Sequence, residues 1–416
     1  MTGHYPRIDA DRLWADLTDL GRIGATADGG VSRPALSSAD RQARTWLADR
    51  MQAAGMVVSQ DAAANQIGRL TGQNAHRVLA MGSHLDTVPN GGRFDGALGV
   101  LASLECARTL AGNGIRLPFD LEVINCCDEE GTHIAGTVGS RAMTGLLTID
   151  ELRQLRQTAP TALAQALAGL GLDPVRIGEA RRKTDRFVAF LELHIEQGSR
   201  LADEGMDIGA VTGIVGIRRL QVTVTGCAGH AGTTPMHRRR DALVMAAPFF
   251  TRLPDWVAAR NPEMVGTVGR LAVEPGAANV IPGRCRFVVE IRGLAAADLD
   301  AVAESITAYA AERHGWQVQP VYAKPPVLLA DAMVDRVMAA AAAEELASLR
   351  MPSGAGHDAQ SFALAGVPTA MVFVPCRDGL SHCPAESITP AQAARGCQVL
   401  LDTLLDLARE APAARD

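Results

Sequence analysis

Three stretches of this chain are largely apolar at consecutive positions and then stop at acids or histidines. They are RVLAMGSH, FDLEVINCC running into Asp128, Glu129 and Glu130, and RFVAFLELHIEQG with His194 and Glu196. Side chains on a strand alternate between its faces, so an unbroken apolar run describes a strand covered on both sides, as in the mainly parallel sheets of α/β proteins. The first run leads through the Gly-rich loop PNGGRFDG into the helical stretch ALGVLASLECARTLAG, which makes a strand, loop, helix unit. In open sheets of this kind ligands bind outside the carboxyl ends of the strands, where the acids and histidines of this chain gather.

The rest of the first half follows the same alternation. Ser37 and Ser38 are N-cap candidates for a helix through Gln42, Trp46, Leu47 and Met51 that Gly55 stops, and MVVSQ and NQIGRL read as short strands. From about 213 to 325 the order becomes strand (RRLQVTVTG), helix (241 to 260), strand (MVGTVGRLAV), strand (RCRFVVEIRG), helix (296 to 313) and strand (WQVQPVY). That is a split βαββαβ unit of the ferredoxin-like kind. Beyond 326 the first pattern returns, with the Ala-rich run Met338 to Leu346 read as one helix interior, then PTAMVFVP and a helix from about 390. The expected organisation is an α/β mixed-sheet domain over 1–212 and 326–416, interrupted by an α+β domain over 213–325.

Composition narrows the function. The 416 residues exceed one common domain, and 47% hydrophobic with 21% charged residues describes a folded soluble chain. A net charge of -6 gives no basic field, so no nucleic acid is expected as a partner. No basic-then-apolar leader opens the sequence, and no window of about 18 apolar residues is free of charge, so no membrane association is expected and a cytoplasmic location is. The eight cysteines include the adjacent Cys126 and Cys127 and form no CxxC, which reads as reduced thiols.

The chemistry-bearing residues at the strand ends are His84 and Asp86 in GSHLDT, Asp95 in GGRFDG, Glu129 and Glu130 in DEEG, His194 and Glu196 in HIEQG, and His382 in SHCPAE. Imidazoles mixed with carboxylates and no thiolate suit zinc, manganese, cobalt or nickel, and a bridging carboxylate would hold two ions about 3.5 to 4 Å apart. No spacing here matches HExxH or a zinc finger. The case rests on convergence, because separate strands of one sheet would bring these residues to one crevice.

In its motifs the sequence resembles the hydantoinase/carbamoylase group of dinuclear-metal amidohydrolases, relatives of aminoacylases and di-zinc exopeptidases. GSHLDTVPNGGRFDGALGVLA, DEEG, ELHIEQG, AGHAGTTPM, NVIPG, SGAGHDA and VPCRDGLSHCPAE occur in the family's order, from about 80 to about 390. The resemblance implies two divalent ions per subunit, His84, Asp95 and His194 holding one, and Asp95, Glu130 and His382 the other, with Asp95 as the bridge. It makes Glu129 the proton carrier between the attacking water and the leaving nitrogen. Asp86 would accept the other ring N–H of His84 and fix its tautomer. It implies that the inserted domain serves as a lid and in a homodimer, with His230, Asn279 and Arg292 holding the substrate carboxylate and the developing oxyanion. The planar fork of an arginine meets a carboxylate with two N–H bonds. Gln197, Arg218 and, by its backbone, Gly356 are further substrate-binding candidates.

The implied reaction is hydrolysis of an N-carbamoyl-L-amino acid, a small ureido or amide substrate bearing a carboxylate, to the amino acid, carbon dioxide and ammonia. Allantoate and β-ureidopropionate are alternatives within the family, and an aminoacylase or dipeptidase lies beyond them. Departures occur at Thr132, His133 and Ile134, where Ser-Arg-Phe is common, and at Ile217, where a polar residue is usual; these bear on the pocket and not on the ligands. The loop GSHLDTVPNGGRFDG lacks GxGxxG spacing, and no GxSxG elbow appears, so nicotinamide binding and serine hydrolysis are not supported. Retention of Glu129 with all five ligands argues against a non-catalytic binding protein.

Overall fold

The three apolar runs form the strands Val78–His84, Asp120–Cys126 and Phe187–Ile195, and only Val188 among them is less than fully buried. In this computed structural model, which describes residues 6–133, 136–147 and 166–410, the first of these strands lies between the other two and is parallel to both. Thr369–Val374 continues the sheet in parallel beside Phe187–Ile195. Its edges are antiparallel: Gln66–Leu70 and then Val57–Gln60 beyond Asp120–Cys126, and Ile208–Ile214 beyond Thr369–Val374. The sheet is therefore mixed, and its four parallel strands discharge the chain at one edge, with His84 opposite Cys126 and His194 opposite Phe373.

Helices cover this sheet. Ala97–Gly112, with nearly every side chain buried, lies on the parallel strands, and Pro390–Glu410 lies against it. Ser38–Ala53 begins as its sequence demands. The Ser37 side chain accepts the Asp40 N–H at 3.2 Å while Asp40 Oδ2 accepts the Leu36 N–H at 2.8 Å, a reciprocal N-terminal cap. One turn on, Arg44 gives its Nε–H to the same Asp40 oxygen at 2.8 Å, and both side chains are buried. Replacing Arg44 by Met leaves a buried carboxylate unpaired, so Arg44→Met is expected to lower the unfolding free energy by about 3–5 kcal/mol. Urea denaturation checks this; a loss below about 1 kcal/mol, the scale of an exposed pair, contradicts it.

The chain divides into Met1–Thr212 with Leu329–Asp416, and Gly213–Leu328. The second unit has the expected βαββαβ order. Its antiparallel strands run Trp316–Lys324, Gly216–Thr225, Arg284–Gly293, Val265–Glu274 across the sheet. The helices Ala242–Arg260 and Ala296–Ala311 bury Phe249, Val302 and Ile306 with Val222, Phe287 and Ile291 of the strands. A separate two-stranded ribbon pairs Gly229–His230 with Val280–Ile281, a feature the sequence patterns do not announce. The Ala-rich helix is Asp331–Ala343 and ends before Leu346, since Glu345 takes a left-handed φ of 56°. No helix among the described residues is long and apolar enough to cross a membrane.

Candidate metal centre and active site

Each buried histidine at the sheet edge has its outer nitrogen fixed by a main-chain carbonyl. His84 Nδ1 lies 2.9 Å from the Asp86 carbonyl, and His194 Nδ1 lies 2.9 Å from the Ile195 carbonyl. A carbonyl can only accept, so Nδ1 carries the proton in both rings and Nε2 turns its lone pair inward. Gly96 makes room for this. Its φ is 64°, and a Cβ there would stand 2.4 Å from the His84 ring.

Asp95 lies where these lone pairs meet. Its Oδ1 is 3.5 Å from His84 Nε2 and 3.3 Å from His194 Nε2, and its Oδ2 is 3.3 Å from His382 Nε2. His382 Nε2 also lies 3.4 Å from Glu130 Oε1. Two groups result whose donor atoms are all within 4.8 Å of one another, His84 with Asp95 and His194, and Asp95 with Glu130 and His382. Burial works against the Asp95 charge, yet His194, His382 and His84 together hold its carboxyl well below the usual range. The hydrogen bond to Asp95, with Glu130 nearby, pushes His382 up to about 9. Burial, with Asp95 adding to it, pushes Glu130 up to about 7.

The acidic loop is held from below. Asp86 is 1% exposed and its carboxylate accepts the N–H groups of Glu129 at 3.4 Å and Glu130 at 3.2 Å. Its expected role on His84 falls instead to its own carbonyl; the carboxylate lies 3.8 Å from that ring nitrogen. The Thr137 N–H bonds the Glu129 carbonyl at 2.9 Å at the start of Val138–Thr144, so the loop is tied at both sides. The Glu129 carboxylate reaches to 3.7 Å from His84 Nε2. Burial, opposed by His84 and reinforced by Asp358, Glu130 and Asp86, holds Glu129 well above an ordinary carboxyl. His133 turns away from the loop to bond the Ala35 carbonyl at 3.0 Å. Ile134 lies outside the described residues.

Several neighbours carried no assignment from sequence. Glu192 and His357, both buried, form a third group of possible ligands with His194. Glu192 shares a strand face with His194, two residues on, which is a signal the sequence contained. Arg33, fully buried, gives its Nε–H to the Leu85 carbonyl and braces the loop after His84. Glu386 and Ser381 flank His382, and both touch Asp95. Glu196 caps the short helix Arg200–Asp203 through the Arg200 and Leu201 N–H groups, and plays no part among the metal groups of the described residues.

The substrate-binding candidates are dispersed. Gln197 gives its amide N–H to Asp95 Oδ2 at 2.7 Å, which makes it a partner of the central carboxylate. Gly356 precedes His357 in the turn between Ser348–Ser353 and Asp358–Leu364. In the second unit His230 ends one strand of the small ribbon and Asn279 directly precedes the other, and the Ala231 N–H bonds the Asn279 carbonyl at 3.0 Å. Arg292, across the register from Ile217, lies on the sheet face away from the helices and pairs with Glu290 at 2.8 Å. Arg218 is directed to the helix face, where Asp300 of Ala296–Ala311 takes its Nε–H at 2.8 Å. Neighbouring residues of a strand point to opposite faces, so Arg218 and Arg292 cannot form one clamp within this unit.

The donor set fits divalent ions. Histidine nitrogens with inward lone pairs and four carboxylates, Asp86, Asp95, Glu129 and Glu130, share a largely buried crevice, an excess of negative charge that a cation offsets. Residues 80–406 match the model of peptidase family M20/M25/M40. The chain belongs to this family. The family is metal-dependent, in agreement with the clustered ligands. Among its relatives is the N-carbamoyl-L-amino acid amidohydrolase of Geobacillus stearothermophilus, 40% identical over 97% of this chain and 99% of that one. The allantoate amidohydrolase of Bacillus subtilis is 34% identical over 94% and 95%. A hydantoinase/carbamoylase family amidase from Burkholderia ambifaria superposes with a TM-score of 0.87 at 39% identity, covering 99% of this chain and all of that one. The family reading made from the motifs is borne out.

Proposed function

We propose that the chain is a metal-dependent amidohydrolase that splits the ureido C–N bond of an N-carbamoyl-L-amino acid into the L-amino acid, carbon dioxide and ammonia. The observation that carries the chemistry is Asp95, whose two oxygens face two separate ligand groups. The substrate class is supported by the names of the relatives, four of which are N-carbamoyl-L-amino acid amidohydrolases at 33–40% identity.

In this reading two divalent ions of zinc, manganese, cobalt or nickel are held, one by His84, Asp95 and His194, the other by Asp95, Glu130 and His382. Such ions supply Lewis acidity, lowering the pKa of water toward about 7 and polarising the carbonyl. Glu129 takes the proton of the attacking water and delivers it to the leaving nitrogen. Its place suits it to the task, because its carboxylate reaches into the crevice to 3.7 Å from His84 Nε2. Asp86 positions that carboxyl by holding the main chain of Glu129 and Glu130.

His230 serves the developing oxyanion. Its Nδ1 accepts the Gly232 and Thr233 N–H groups at 3.0 and 3.2 Å, so the neutral ring presents Nε2–H as a donor. Asn279 and Arg292 are assigned to the substrate carboxylate on their chemistry. A homodimer belongs to the same proposal, supported by the edge strand Val265–Glu274, whose Val265 and Leu271 are 57% and 50% exposed. So does a cytoplasmic location, supported by eight free thiols.

The test is release of ammonia and amino acid by the zinc- or manganese-loaded protein from N-carbamoyl-L-amino acids, allantoate, β-ureidopropionate, N-acetyl amino acids and dipeptides. Turnover of N-carbamoyl-L-amino acids above all others is expected. Preference for allantoate moves the assignment to that neighbouring activity, and turnover of only N-acetyl or peptide substrates contradicts it.

A further inference from the structure

Among the ligands His382 is the one least held by burial. Its side chain is 47% exposed, and its backbone takes a φ of 57°, a conformation that a residue with a Cβ adopts only when its surroundings impose it. Glu386 imposes it from both sides. Its Oε2 accepts the Ser381 hydroxyl at 2.9 Å on one side of His382, and its main-chain N–H bonds the Cys383 carbonyl at 3.1 Å on the other. The same carboxylate reaches the Asp95 loop, 291 residues away in sequence, where Oε1 accepts the Phe94 N–H at 2.7 Å and the Asp95 N–H at 3.1 Å. Ser381 Oγ completes the link by lying 2.7 Å from Asp95 Oδ2.

The space for this clasp is built into the chain. Glu386 is 1% exposed, and a Cβ on Gly92 would stand 1.9 Å from its carboxyl carbon, so any larger residue there would displace it. Glu386 reaches His84 and His194 only through the Asp95 loop that all three share. The two histidines issue from their own strands, and their rings are fixed by the Asp86 and Ile195 carbonyls.

We infer that Glu386 is the positioning residue chiefly for one half of the centre: it holds both Asp95 and the turn that carries His382, so the site of the ion held by Asp95, Glu130 and His382 rests on it twice, and the site shared with His84 and His194 only through Asp95. The inference rests on the two-ion reading above. Groups that orient ligands from behind are worth about 10–100-fold in metal affinity. Here the larger loss falls on one ion of the pair. Glutamine at 386 can keep the clasp, since its Oε1 can accept both N–H groups and its amide can donate to Ser381; alanine cannot.

Chelator competition with zinc, reading both dissociation constants, tests this on the full-length protein. Wild type is expected to take up two ions. Glu386→Ala is expected to loosen one of them by about 10–100-fold and the other by clearly less, the ion most affected being the one that His382→Ala loosens, while Glu386→Gln stays near wild type. Ser381→Ala, which removes only a hydroxyl, is expected to loosen the same ion and serves if the alanine variant at 386 does not fold. Equal loosening of both ions, no loosening in either Glu386→Ala or Ser381→Ala, or a glutamine variant as weak as alanine overturns the assignment. A wild type that takes up fewer than two ions removes the two-ion reading itself, and the clasp with it.

Discussion

Asp95→Asn is expected to reduce turnover to the limit of detection and to leave at most one ion bound per chain. Asp95 is shared by two of the three groups of possible ligands among the described residues, so its charge serves two sites at once. An amide is neutral and offers one oxygen where the carboxylate offers two. His84 with His194, and Glu130 with His382, would then lack the carboxylate that completes each group, and water would return from a pKa near about 7 toward its bulk value of about 15.7. Ammonia release with metal content by elemental analysis checks both parts, with circular dichroism confirming the fold. A variant that keeps two ions and turns over measurably contradicts the assignment.

Glu129→Gln has the second largest effect, and its signature differs. Glu129 belongs to none of the three groups of possible ligands among the described residues, so ion uptake should be unchanged. Removal of a positioned proton carrier costs about 10²–10⁴ in rate. At about 1.4 kcal/mol for each factor of ten, that is about 3–5 kcal/mol of barrier. The loss should fall on kcat, with KM little altered, because glutamine keeps the shape of the side chain and lacks only the titrating oxygen. A variant that loses an ion would show that Glu129 is a ligand, and one with wild-type kcat would show that another group moves the proton.

What could be read from sequence here were the features that one strand declares by itself. Val78–His84 and Phe187–Ile195 are apolar at successive positions because neither face meets water, and each ends where the chain leaves the sheet, so His84 and His194 could be placed without knowing the strand order. The pairing itself was less legible. Gln66–Leu70 joins the parallel strands antiparallel, and Ser348–Ser353, short and containing Pro352, shows no alternation that marks it as a strand. The supports were hidden for a related reason. Glu386 bonds Asp95 across 291 residues, and Arg33 reaches Leu85 across 52, separations over which no local pattern operates. Arg218 illustrates the other side: its motif suggested binding, and no local pattern told that its side chain is directed to the helix face and to Asp300.

The claim on which the account turns is that one aspartate joins two ions at the carboxyl edge of the sheet. Anomalous scattering from crystals of the zinc-loaded protein measures it directly. The account predicts two peaks about 3.5–4 Å apart, both against the Asp95 carboxylate, one beside His84 and His194 and the other beside Glu130 and His382. A single peak, or a peak among Glu192, His194 and His357 with Asp95 free, would contradict it.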